Sequence, residues 1–353
     1  MNVITRKRSL AGFALVGAAA MVLAGCAAAP EEEAEVPQVD FTGCAVSDEG
    51  SWNDKSFNEA AYDGLLQAKD ELGIKTADAE SQTTEDFEPN LASMVEADCD
   101  VIFAVGFNLI DAVNAAAEAN PDSHYVTIDG YSNGATNLKP VQYSMNQSSY
   151  LAGYLAAAYS TTKVVGTYGG LQIDAVTDFM SGYYYGAKAY ETETGTAVTV
   201  LGWDPKAATG DFTDGFGDTE GAKSISAGQI AQDADVLYPV AGGLFSATAE
   251  AIDESGNDSI VFIGVDKNIA VTSPEYADKV LTSVEKRMTS AVYDIIAELV
   301  DGTEFSGEAY VGTLANEGTA LSEFGDFEVS DEIKAKLEEL KAGIIDGSID
   351  PLA

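Results

Sequence analysis

The chain has 353 residues, with 18 Lys or Arg against 58 Asp or Glu, a formal net charge of −40. Hydrophobic residues make up 46% and glycine 34 positions, which describes a folded chain long enough for two domains rather than a disordered acidic segment. No basic stretch follows the first eight residues and His124 is the single histidine, which excludes nucleic-acid binding, adhesion of the protein surface to anionic lipid and most His-dependent catalysis.

Arg6, Lys7 and Arg8 precede an apolar run, Leu10 to Leu23, that is short for a membrane span. The run ends in Leu23-Ala24-Gly25-Cys26, small residues before a cysteine, the pattern of a bacterial lipoprotein signal. Residues 1–25 are therefore expected to be removed and Cys26 lipidated, with anchoring by several acyl chains. Residues 26–40 carry no apolar periodicity and read as an acidic tether. Cleavage removes three cations, so the mature chain is still more acidic.

Strands and helices then alternate. Runs rich in β-branched and aromatic residues lie at 41–46, 101–106, 125–129, 164–168, 198–203, 236–240 and 260–265. Helical patterns fill 56–72, 91–97, 111–119, 150–160, 178–193, 221–232 and 245–253. Two more are expected at 286–300 and 330–345, the latter N-capped by Ser330. Such alternation predicts an α/β protein with two doubly wound parallel sheets. The small-residue run from Tyr150 to Tyr159 reads as a packing helix. Cys44 falls in the first strand and Cys99 just before the third. Those strands are neighbours in a doubly wound sheet, and a disulfide between the two cysteines is expected in an exported protein.

Ligands of open parallel sheets bind outside the carboxyl ends of the strands. Those ends here are followed by Ser47 to Asn58, Gly106 to Asp111, Asp129-Gly130, Gly169-Gly170, Ala241-Gly242-Gly243 and Asp266-Lys267. Carboxylates, a lysine, close-approach glycines and aromatic rings thus converge. That set suits a neutral, hydroxyl-bearing ligand with a flat ring, because a carboxylate accepts from vicinal hydroxyls and an aromatic face stacks on the ring.

Ser51-Trp-Asn-Asp-Lys-Ser-Phe-Asn58, Val105-Gly-Phe107 with Asp111-Ala112, Tyr150-Leu-Ala-Gly153, Gly182-Tyr183 with Gly186-Ala-Lys188, Val240-Ala-Gly-Gly243 and Gly264-Val-Asp266 resemble the basic membrane protein family of lipoproteins. These are purine-nucleoside-receptor type solute-binding proteins of ATP-binding-cassette (ABC) importers. The resemblance runs from about Phe41 to Leu321. It implies a type I periplasmic-binding-protein fold: two lobes, three crossovers, a hinge, and a nucleoside closed between the lobes. The first lobe would hold residues 41–146 and about 286–318, and the second 147–285 and about 319–330. Residues 331–353 would form a C-terminal helix and tail. The family pattern implies that Trp52 stacks on the base, that Asn53 and Asp54 line the first-lobe wall, and that Phe57 packs at the ring. Asp111, with Asp129 as its competitor, would bond the base edge, and Phe179 would be the opposing aromatic face. Gly242 would contact the ribose through its backbone, Asp266 would accept ribose hydroxyls and Lys286 would donate to them. The implied partners are the nucleoside, a membrane permease and, through the lipid, the extracytoplasmic face of the cell membrane. The protein would act as a monomer with no cofactor and no metal.

Two departures from the family pattern stand out: a longer segment from Gly202 to Gly221, and Asn268 where an acidic residue is common. Residues 210–220 hold four carboxylates but lack the spacing of a calcium loop, and read as a lobe-edge loop. His124 reads as a surface residue. A carboxylate-based nucleoside hydrolase and a tethered sensor or adhesin of the same fold are the alternatives. Release of free base from inosine would mark the hydrolase, and nucleoside uptake independent of the protein would mark the sensor.

Overall fold

A computed structural model describes residues 36–353, so the signal segment, Cys26 and most of the expected tether lie outside the described residues. The described residues form two six-stranded sheets and a small hairpin. In chain order the elements of the first half are β1 (Thr42–Ser47), α1 (Phe57–Leu72), β2 (Lys75–Ala79), α2 (Phe87–Glu96), β3 (Val101–Val105), α3 (Ile110–Ala119), β4 (Tyr125–Ile128) and β5 (Leu138–Tyr143). There follow α4 (Met145–Tyr159), β6 (Val164–Gly169), α5 (Asp174–Thr194), β7 (Thr199–Leu201), β8 (Trp203–Asp204), β9 (Thr209–Gly210), α6 (Thr219–Ile230), β10 (Val236–Val240), α7 (Phe245–Ser255), β11 (Val261–Asp266), α8 (Ile269–Thr272) and β12 (Val280–Lys286). The chain ends with α9 (Met288–Val300), β13 (Tyr310–Gly312), β14 (Thr319–Leu321) and α10 (Asp331–Ile345).

The first sheet has the order β2-β1-β3-β4-β5-β13, all parallel. The second repeats it as β7-β6-β10-β11-β12-β14, with only β14 antiparallel. Each sheet with its helices is a lobe. The chain passes between the lobes after β5, after β12 and after β13. The central strands are buried along their whole length, β3 as VIFAV and β11 as VFIGVD, because helices cover both faces.

Several elements are set by pairing rather than by their own pattern. β2 (KTADA) is a polar edge strand, and β5 (LKPVQY) carries Pro140, so neither reads as a strand alone. The helix expected from residue 286 begins at Met288. Lys286 instead closes the buried strand β12, which places its side chain at a sheet end. Ser330 caps α10 as expected, its side chain accepting from Ile333 N. That helix packs Leu337, Leu340 and Ile344 into the second-lobe core rather than standing apart from it. The small-residue helix α4 lies against α5, where a Cβ on Gly153, Gly182 or Gly186 would run into the facing backbone. Cys44 and Cys99 are disulfide-bonded, with Cα atoms 6.0 Å apart, across the β1–β3 register. No helix among the described residues is long and apolar enough to cross a membrane.

Candidate functional site

The carboxyl ends of both sheets face a cleft of about 680 Å³. The pseudo-repeat supplies matching carboxylates. Asp129 follows β4 and Asp266 ends β11, each on the fourth strand of its sheet, with φ of 59° and 67°. Left-handed backbone is tolerated by Asp better than by most non-glycine residues, and it turns each side chain off the strand end into the cleft. Among the described residues Lys286, at the end of β12, is the one cation in the lining. Its Nζ bonds Asp129 Oδ2 at 2.5 Å across the lobes. It also lies 5.2 Å from the Phe57 ring centroid and 5.3 Å from that of Phe179. Buried aromatic faces attract a desolvated cation, so the ammonium is held from three sides.

Asp266 accepts from Ser56 Oγ at 2.5 Å, the second bond between the lobes. Burial pushes its carboxyl up to about 6, with Lys286 and Ser56 opposing and Asp54 and Asp129 adding to the rise. Asp48, just past β1, is also pushed up to about 6 by burial, although Gly50 N and Asn58 Nδ2 donate to it. Asp54 caps α1, accepting from the backbone N–H of Ser56, Asn58 and Glu59 at 2.8, 2.8 and 3.1 Å. Gly243 passes so close to this loop that a Cβ there would stand 2.6 Å from the Asp54 carbonyl.

Of the residues expected from sequence, Asp54, Phe57, Asp129, Phe179, Gly242, Asp266 and Lys286 line the cleft. Three do not. Trp52 is buried in the first lobe, its indole stacked 4.8 Å from the Tyr62 ring and its Nε1 donating to Asp78 Oδ2 at 3.1 Å. Asn53 is exposed on the loop surface, and Asp111 is exposed in the first turn of α3. The loop before α1 curls so that Asp54 and Phe57 face the cleft while Trp52 faces the edge of β2.

The cleft also gathers residues to which the sequence assigned no individual role: Asp48, Glu49, Phe107, Asn108, Asp214 and Phe216. Phe107 and Asn108 follow β3, a strand end, and that position was the available signal. Phe216 comes from the long segment after β7. That segment is stitched along the end of β6 by Thr213 N to Gly169 O at 3.0 Å and Gly215 N to Gly170 O at 2.9 Å. The Phe216 ring covers Gly170, where any Cβ would collide with it. Asp218, in the acidic part of this segment, caps α6 by accepting from Gly221 N at 2.9 Å. Among the described residues no three His, Cys, Asp or Glu are grouped to hold a metal ion. His124 stacks on Phe305 at 4.4 Å, outside the cleft.

Residues 41–349 match the family model Bmp, described as ABC transporter substrate-binding protein PnrA-like. The chain belongs to this family. Across 98% of both chains it is 31% identical to the ABC transporter nucleoside-binding protein BmpA of Lactococcus lactis. It is 30% identical to a lipoprotein of Pyrococcus abyssi, over 87% of this chain and 74% of that one. A crystal structure of an ABC transporter solute-binding protein from Aeropyrum pernix superimposes with a TM-score of 0.76 at 24% identity, covering 88% of this chain and 92% of that one. The fold is thus that of type I solute-binding proteins. As a Bmp protein the chain is the substrate-binding component of an ABC transporter, not an enzyme.

Proposed function

We propose that this protein captures a nucleoside, purine in preference to pyrimidine, by closing its two lobes on it, and presents the closed form to a membrane permease. The observation that carries the reading is that Asp266 and Lys286, at the ends of the neighbouring strands β11 and β12, line one cleft wall while aromatic rings from both lobes face the same space. In this reading Asp266 accepts two ribose hydroxyls, Lys286 donates to them, and the backbone at Gly242 approaches the sugar. Asp129 replaces Asp111 as the first-lobe carboxylate, because it is held in the cleft by Lys286. Phe57, Phe107, Phe179 and Phe216 offer faces for the base. One cation among several carboxylates disfavours an added phosphate, so the ligand is the nucleoside rather than its nucleotide.

Mass spectrometry of ligand released from the purified protein tests the reading directly, followed by calorimetry with inosine, guanosine, cytidine and inosine monophosphate. Tight binding of a free sugar or of the monophosphate in place of the nucleosides would overturn it. Phe216→Ala is expected to weaken purine nucleoside binding by about tenfold, through loss of a stacking face worth ~1–3 kcal/mol, with the melting temperature nearly unchanged. Anchoring through a lipid on Cys26, as a monomer outside the cytoplasmic membrane, completes the proposal. Cys26→Ser is expected to move the protein from the membrane fraction to the soluble extracytoplasmic fraction on cell fractionation.

A further inference from the structure

Beside the cleft, but outside its lining, a second cation ties the lobes together. Lys267 follows Asp266 in the second lobe. Its Nζ donates to Glu59 Oε1 at 2.8 Å and to Asp63 Oδ2 at 2.7 Å, both on α1 of the first lobe. Glu59 and Asp63 are four residues apart and so project from one face of the helix. The Lys267 and Glu59 side chains are 13% and 14% exposed, and Asp63 is 42% exposed. Lys55 reaches the other Glu59 oxygen at 3.4 Å, which holds that carboxylate between two cations. Three layers of contact therefore join the lobes along one seam. Gly243 lies on the Asp54 carbonyl, Ser56 donates to Asp266, and Lys267 reaches the two α1 carboxylates. Only the last involves no residue of the cleft lining.

We propose that Lys267, Glu59 and Asp63 form a clasp that sets how much of the protein is closed before a ligand arrives. Opening the hinge along this seam breaks both bonds, so their strength weights the closed state directly. A ligand's apparent affinity scales with the fraction of protein already in the binding-competent state. Lys267 thereby governs affinity without touching the ligand, and it positions Asp266 through the adjoining peptide. The clasp is partly exposed, so dissolved salt screens it and loosens the closed state. The inference takes hinge closure from the proposed function but does not depend on which ligand is bound.

The test is the distance between spin labels at Asp111→Cys and Lys206→Cys, both exposed and on opposite lobes, measured without ligand and with the native disulfide intact. At low salt the unliganded parent is expected to show a substantial short-distance population. Lys267→Met should reduce it severalfold, the double variant Glu59→Gln/Asp63→Asn should do the same, and Lys267→Arg should retain it. About 1 M NaCl should shift the parent the same way while leaving Lys267→Met unmoved. A parent that is wholly open at low salt, or distance distributions shared by the parent and both clasp variants, would overturn the clasp. In calorimetry with inosine the dissociation constant of Lys267→Met should rise by about three- to tenfold. Failure of inosine to bind any form would count against the nucleoside reading, leaving the distances to decide the clasp.

Discussion

Lys286→Met is expected to lower stability by about 3–5 kcal/mol and to abolish ligand binding within the range of calorimetry. The side chain is 3% exposed, and Asp129, its partner across the lobes, is 9% exposed. Removing the cation leaves Asp129 and Asp266 as buried carboxylates with no counter-charge in the cleft lining. It also removes the ammonium from the rings of Phe57, Phe179 and Tyr143. Urea unfolding with and without ligand checks both effects. The double variant Lys286→Met/Asp129→Leu separates them. Replacing the whole buried pair with apolar groups should recover most of the stability but none of the binding. Recovery of binding in the double variant would show that Lys286 serves only to neutralise Asp129.

Asp266→Ala is expected to weaken nucleoside binding by about 2–4 kcal/mol, roughly thirty- to a thousandfold, because hydroxyls closed into the cleft and the Ser56 hydroxyl both lose their acceptor. The same carboxyl makes binding depend on pH. Burial raises Asp266, and Asp48 with it, to about 6. A carboxyl raised in the folded state binds more protons there than in the unfolded chain. Its contribution to stability is therefore full below the unfolded value of about 3.8 and is lost as pH rises through about 6. The unliganded protein should thus melt lower as pH increases across that window. Ligand hydroxyls donate to the ionised form, so the affinity trend is opposite. Binding should tighten as pH rises from about 5 to about 7 and then level off, with proton release on binding near pH 6. Calorimetry in buffers of different ionisation enthalpy reads that proton directly. Asp266→Asn should flatten the profile, with the remainder belonging to Asp48, and an unaltered profile would remove Asp266 from the linkage.

Much of the cleft could be read from strand ends alone. Asp129, Gly242 and Asp266 were found because a parallel sheet presents its ligand at its carboxyl edge, whichever ligand that is. Trp52 and Phe57 show the limit of that logic. They share one loop motif five residues apart, yet one ring packs against Tyr62 and the other faces Lys286. The direction of each ring depends on how the loop curls between β1 and the edge of β2. β2 is itself a polar strand that exists only by pairing with β1. Phe216 was hidden for a related reason. Its segment has little periodicity and reads as an acidic loop, and only its bonds to Gly169 and Gly170 bring the ring to the cleft.

The α/β class, the strand-end carboxylates and the family were legible in the order of the amino acids alone. These follow from local periodicity and short motifs, which act over a few residues. The tertiary structure decided the partnerships that span the chain. Ser56 with Asp266 and Asp129 with Lys286 join residues 210 and 157 positions apart, and Glu59 with Lys267 joins residues 208 apart. Each pair forms only because two repeats of one topology face each other, and no local pattern can encode a contact whose other half lies in the opposite lobe. The excess of acid that opened the sequence is a property of the whole surface, whereas the cleft gathers only a few carboxylates, with Lys286 placed against them by the fold.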